Sequence, residues 1–402
     1  MPGDYIWKDR LPVAPLKLIA MPGCEELTKA VNDHIVEYRH EADIPDHKNA
    51  DSLHYAGYDT DSYLLDVDLP RFGTGEGKGT LLSSCRGCDV FIFVDVLNHS
   101  LTYTVNGRTN HLSPDDHYQN LKRIIAASIS HARRVTVVMP FLYESRQHKR
   151  TARESLDCAT ALEELAALGV HDIITFDAHD PRIVNATPLD AVDNFMPTYQ
   201  FVKAILKHVP ELEIHKDHLM CISPDEGAMD RAVYLANNLG VDMGMFYKRR
   251  DYSQVIDGKN PIVAHEFLGA NVQGKDVIIV DDMISSGDSM IDTARDLKAR
   301  LAKRVIVCTT FGLYTNGLDA FDKAYADGLI DYVVNTNLNY KTPEIQNRKW
   351  YIEADMSRYI AAIVNTFNHD TPISDSMSPT AKIQKLLENK KSDGYEYFQT
   401  IQ

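Results

Sequence analysis

Short, wholly apolar runs alternate with helical stretches along this chain, and that alternation limits the fold more than any other feature. LKLIAM (16–21), VFIFV (90–94), RVTVVM (134–139) and DIITF (172–176) are such runs. HLMCIS, DVIIV, RVIVCT and DYVVNT follow in the second half, separated by stretches such as SLDCATALEELAALGV and AMDRAVYLANNLGV. Strands without polar alternation are buried on both faces, and helices between them supply the crossovers of parallel sheets. The expected class is therefore α/β, with parallel sheets flanked by helices.

The two halves also resemble each other in the same order. RGCDVFIFVD (86–95) reads like QGKDVIIVDD (273–282), ARRVTVVMPFLY (132–143) like AKRVIVCTTFGLY (302–314), and LGVHDIITF (168–176) like DGLIDYVVN (327–335). A repeat of this length implies two similar domains, and 402 residues are too many for one ordinary core. We place an N-terminal domain at 1–197, a C-terminal domain at 198–377, and a short helix with a polar tail at 378–402. The copies diverge after their first paired strand. The C-terminal copy continues DMISSGDSMIDTA, whereas the N-terminal copy has a longer polar connection without a small-residue turn.

Composition excludes several classes. No apolar run approaches the roughly 20 residues of a membrane span, and MPGDYIWKDRLPVAPLK has no apolar signal-peptide core. A cytoplasmic protein with no membrane partner is expected. The net charge of −15 argues against nucleic acid as a partner. Six scattered cysteines in apolar patterns read as reduced, buried thiols.

The turn that only one copy keeps carries chemistry. Asp281 and Asp282 stand at a strand end, followed by Ser285, Ser286, Gly287, Asp288 and Ser289 leading into a helix. Ligands of open α/β sheets sit at the carboxyl ends of strands, and a helix start offers unpaired N–H groups to an anion. The serines add donors, and the glycine lets the backbone approach. A phosphate in the turn, with the aspartates on hydroxyls or a Mg²⁺ ion, suits a sugar phosphate. Arg146, Gln147, Lys149, Arg150 and Arg153 form a basic cluster after another strand, where polyphosphate can bind. GTGEGKGT (73–80) fails P-loop spacing, and Cys85–Cys88 lacks a second pair for zinc.

The segment 281–289 resembles the phosphoribosyl-diphosphate binding motif of phosphoribosyltransferases and phosphoribosyl-diphosphate synthetases. SRQHKR (145–150), ITFDAHD (174–180), ISPDEGAMDRA (222–232), KRR (248–250) and PRFGTGEGKGTLLSSCRGCDVFIF (70–93) resemble the synthetases, the ribose-phosphate diphosphokinases. The resemblance implies two phosphoribosyltransferase-like domains. It also implies transfer of the β,γ-diphosphate of Mg²⁺–ATP to the 1-hydroxyl of ribose 5-phosphate, a step of nucleotide biosynthesis. By the resemblance Phe72, Glu76, Arg146, Gln147 and His179 bind ATP. Asp225, Asp281, Asp282 and Ser285 to Ser289 bind ribose 5-phosphate. His179 and Asp225 serve Mg²⁺, and Lys248 and Arg250 are catalytic, opening a loop that closes over the phosphates. Adenine contacts from a neighbouring subunit imply a homo-oligomer, a dimer or hexamer. A non-catalytic regulatory homologue and a base phosphoribosyltransferase are the rival readings. The chain departs from the pattern at His148, at Thr74, in the S-S-G-D-S turn, and in longer stretches at 38–69 and 98–120.

Overall fold

Strands buried on both faces need helices on both sides, and the computed structural model supplies them in two compact units. It describes residues 10–41, 57–189, 191–250, 262–373 and 379–393. The first sheet contains β1 (Leu16–Ala20), β2 (Asp89–Phe93), β3 (Arg134–Val138), β4 (Asp172–Phe176) and β5 (Ala191–Phe195), adjacent in that order and all parallel. The second contains β6 (Leu219–Ser223), β7 (Asp242–Arg250), β8 (Ile262–Leu268), β9 (Asp276–Ile284), β10 (Arg304–Gly312), β11 (Tyr332–Thr336) and β12 (Tyr351–Ala354). Its order is β8-β7-β6-β9-β10-β11-β12, parallel except for β8, which runs antiparallel to β7.

The row β6-β9-β10-β11-β12 repeats the row β1-β2-β3-β4-β5, and the sequence-matched segments occupy equivalent strands. The repeat extends to an ion pair. Asp89, opening β2, lies opposite Arg134, opening β3, with guanidinium–carboxylate distances of 2.9 and 2.8 Å. In the second sheet Asp276 lies opposite Arg304 at 3.5 Å.

Helices α1 (Glu25–Glu41), α2 (Pro114–Ser128) and α3 (Asp157–Ala167) belong to the first unit. Helices α4 (Thr198–His208), α5 (Met229–Leu239), α6 (Asp288–Ala299) and α7 (Asp319–Ala326) belong to the second. Two further helices are α8 (Ser357–Asn368) and α9 (Pro379–Asp393). The helix that follows each sheet's last strand serves the other unit. Helix α4, after β5, buries Phe201, Val202, Ile205 and Leu206 against Cys221, Ile306, Ile352 and Ala354 of the second unit. Helix α8, after β12, belongs to the first unit, together with residues 337–340. There Arg39 of α1 donates to Asn365 at 3.0 Å and to Asn368 at 2.8 Å. Residues 355–373, expected in the C-terminal domain, therefore pack within the first unit, where partners such as Arg39 lie. The expected terminal helix is α9, which buries Ile383 and Leu386 in the second unit's core.

Candidate active site

In the second unit the carboxyl ends of β6 and β9 bring three carboxylates into one neighbourhood. The sequence suggests that β9 stops at Asp281–Asp282, but the strand runs on to Ile284. Its neighbour β10 continues to Gly312, so the ladder has partners beyond the aspartates. Asp282 is buried, and its N–H donates to the Asp281 carboxylate at 2.9 Å. Asp225 follows β6, and its carboxylate accepts from the Gly227 N–H at 3.0 Å. Burial, then the neighbouring Asp282 and Asp225 carboxylates, push the Asp281 carboxyl well above its usual range, with Arg231 acting against them. A cluster of this kind favours a proton, a sugar hydroxyl or a cation beside it.

The turn after β9 is built for close approach. Thr315 N–H fixes the Ser285 carbonyl at 3.0 Å, and Ser286 Oγ donates to Asp288 at 2.9 Å. Gly287 has φ +93°, and a Cβ there would lie 2.3 Å from the Phe321 ring. Helix α6 begins at Asp288, and no side chain caps its first turn. An uncapped start carries partial positive charge toward whatever occupies the turn. The structure thus brings together Asp225, Asp281, Asp282 and the Ser285–Ser289 turn. Arg231 of α5 is a residue the sequence reading did not single out.

In the first unit, β3 and β4 are neighbours, so the segments after them meet. His148 and His179 have ring centroids 5.5 Å apart, and His148 Nε2 lies 3.3 Å from the Asp180 carboxylate. Asp180 is gripped by Arg182, which holds its carboxyl well below the usual carboxylate range. Gln147, beside His148, donates to the Ser155 carbonyl at 2.7 Å, while Arg146 is exposed. Asp177, before His179, takes a left-handed φ of +45°. Arg146, Gln147 and His179 therefore share one sheet end, and His148, noted only as a departure, pairs with Asp180.

Phe72 and Glu76 lie on a separate hairpin tip, where the Phe72 N–H donates to the Glu76 carbonyl at 2.8 Å. The glycine-rich stretch is no phosphate loop. Its Thr80–Leu81 pairs with Val67–Asp68, and Gly77 and Gly79 pass closely against Arg123 of α2. Lys248 and Arg250 end β7, opposite His265 and Ile262 of β8, so their backbone is strand. Of the expected loop, 248–274, residues 262–268 are also strand, as β8; residues 251–261 and the side chains of both cations lie outside the described residues. His179 belongs to the first unit and Asp225 to the second.

Among the described residues no three His, Cys, Asp or Glu side chains converge as a ligand set for one metal ion. No described helix is long and apolar enough to cross a membrane. All six cysteines are buried free thiols.

Comparison with known proteins agrees with the fold of two like domains. Residues 16–169 match the N-terminal domain of ribose phosphate pyrophosphokinase, and residues 190–339 match the phosphoribosyl transferase domain. A ribose-phosphate pyrophosphokinase from Wolinella succinogenes is 30% identical over 281 residues, 69% of this chain and 81% of that one. This chain belongs to the ribose-phosphate pyrophosphokinase family. Another relative of that name, from Mycoplasma pneumoniae, is 30% identical over 271 residues, 66% of this chain and 74% of its own. The crystal structure of phosphoribosylpyrophosphate synthetase from Mycobacterium smegmatis has the same fold, with TM-score 0.65 and 21% identity over 88% of this chain and 98% of that one. As a ribose-phosphate pyrophosphokinase family member, the chain carries its distinctive turn only in the second of two like sheets.

Proposed function

We propose that this chain is a ribose-phosphate diphosphokinase that transfers the β,γ-diphosphate of ATP to the 1-hydroxyl of ribose 5-phosphate, giving phosphoribosyl diphosphate and AMP. The observation that carries this reading is the seat in the second unit: a carboxylate group beside an uncapped helix start and a glycine turn. The backbone N–H groups and the hydroxyls of Ser285, Ser286 and Ser289 bind the 5-phosphate. Asp281 and Asp282 accept from ribose hydroxyls. In the transfer, the 1-hydroxyl oxygen bonds to the β-phosphorus and the β-phosphorus bond to the bridging oxygen breaks. AMP leaves with that oxygen, and the hydroxyl proton is released to solvent.

Lys248 and Arg250 stabilise charge as it develops on the transferring phosphates, and Arg146 and Gln147 hold the polyphosphate. The crowding of Asp225, Asp281 and Asp282 fits a nearby cation; Asp225 would hold Mg²⁺ on the ribose 5-phosphate side, and His179 would serve the Mg²⁺–ATP side. Few protein ligands suffice for an ion that keeps waters and bridges phosphates. Bound there, Mg²⁺ supplies charge neutralisation and lowers the pKa of the attacking hydroxyl. Phe72 and Glu76 contact adenine in a neighbouring subunit, so the active form is a homo-oligomer.

One incubation tests this. Purified protein with ribose 5-phosphate, ATP and Mg²⁺ should form AMP and phosphoribosyl diphosphate in equal amounts, and Asp282→Ala should raise the KM for ribose 5-phosphate more than that for ATP. Absence of AMP from folded protein would refute the assignment and favour a regulatory homologue.

A further inference from the structure

The long connection after β2 contains a hairpin whose strands, Thr102–Val105 and Arg108–His111, pair, among the described residues, only with each other. Its turn uses Asn106 and Gly107 with φ +52° and +71°. None of its side chains is buried, so it adds nothing to the core, and a two-stranded hairpin by itself is marginal. Along its first strand Thr102 and Thr104 are exposed, while Tyr103 and Val105 are half-buried.

What those two residues cover is the Phe72–Glu76 tip. The tip closes a second hairpin, in which Val67–Asp68 pairs with Thr80–Leu81 and Arg71 with Gly77. Gly75 takes φ +95°, and a Cβ there would lie 3.7 Å from Val105 Cγ1. The Arg71 guanidinium lies 3.8 Å over the Tyr103 ring. The same guanidinium donates to the Gly75 carbonyl at 3.0 Å and to the Asp116 carboxylate at 2.8 Å. Asp116 is fixed in turn by the capping box that starts α2 with Ser113. Arg71 thus links the tip, the hairpin and a helix start. Phe72, next to it, is 58% exposed, an aromatic face held toward solvent by a braced turn.

We propose that the hairpin Thr102–His111 is a brace for nucleotide binding, in which Tyr103 and Arg71 are positioning residues that hold the Phe72–Glu76 turn in its adenine-gripping conformation. This rests on the reading that the turn takes adenine. A planar cation stacked on an aromatic ring and forked onto a carbonyl and a carboxylate fixes orientation as well as position. Loosening it leaves Phe72 in place chemically but costs order that ATP must then restore on binding.

The test compares steady-state kinetics of the full-length Tyr103→Ala, Tyr103→Phe, Arg71→Ala and Phe72→Ala proteins. Tyr103→Ala should raise the KM for ATP by about fivefold, the effect of losing one cation–π contact. The KM for ribose 5-phosphate and kcat should be unchanged, and the melting temperature should fall by a few degrees at most, as for any lost contact of about 1 kcal/mol. Tyr103→Phe, which keeps the ring, should behave as wild type, and Arg71→Ala should exceed Tyr103→Ala. Unchanged KM for ATP in Tyr103→Ala, or parallel changes for both substrates, would overturn the brace. Phe72→Ala separates the two levels. If it raises the KM for ATP while Tyr103→Ala does not, the brace alone is wrong. If it leaves that KM unchanged, the adenine reading fails and takes the brace with it.

Discussion

Gly287→Ala tests the ribose-phosphate seat through its backbone. Gly287 has φ +93°, a conformation that costs an L-residue about 1–2 kcal/mol. Its new methyl would also stand 2.3 Å from Phe321 Cε2 and 2.7 Å from Cζ. Phe321 cannot retreat easily. It is 1% exposed, with its ring edge-on to Tyr314 at 5.1 Å and 5.6 Å from Trp350. Overpacking of this kind costs about 1–3 kcal/mol. The two effects together give about 2–5 kcal/mol, and the strain is relieved most easily by moving the turn. Urea denaturation should therefore show that loss, and the KM for ribose 5-phosphate should rise while that for ATP stays constant. Adding Phe321→Leu removes the overlap but not the φ strain, so the double variant should recover part of the loss, as a coupled pair does. A Gly287→Ala protein within about 0.5 kcal/mol of wild type would refute the reasoning, because that is the range of an ordinary surface change.

Three further outcomes follow from other sites. Arg134→Ala leaves the Asp89 carboxylate, whose side chain is 0% exposed, with the Asn368 amide at 2.8 Å in place of its ion pair, and should cost about 3–5 kcal/mol in denaturant. Asp95 is buried, and burial raises its carboxyl to about 6 against two backbone N–H donors, Tyr340 and Leu97. A raised carboxyl favours the folded state at acid pH and loses that advantage as pH climbs from about 4 through about 6. Asp95→Asn should accordingly gain on wild type across that window, by a few kcal/mol at neutrality, and parallel stability–pH curves would contradict it. Lys248→Ala should lower kcat by roughly 10³ with little change in either KM, measured as AMP formation, and a near-normal kcat would remove the main catalytic assignment.

Much of this protein was legible in its sequence because the relevant signals are local. Runs such as Val277 to Val280 have no polar alternation, so they must be buried on both faces, and they form β9 as read. The repeat was visible because equivalent strands begin with the same residue types. The Ser285–Ser289 turn was visible because two aspartates near a strand end stand just before a glycine among hydroxyls that opens a helix. Three features needed the tertiary structure. An amphipathic helix declares an apolar face but not which sheet will cover it, so the crossing of α4 and α8 between units could not be read from either segment. A strand's end depends on its neighbour's length, which is why β9 passes Asp281 and Asp282 to reach Ile284. Side chains distant in sequence have no local signature of contact: Tyr103 on Arg71, His148 on Asp180 and Asp225 on Asp281 became pairs only once parallel strands and hairpins set their ends side by side.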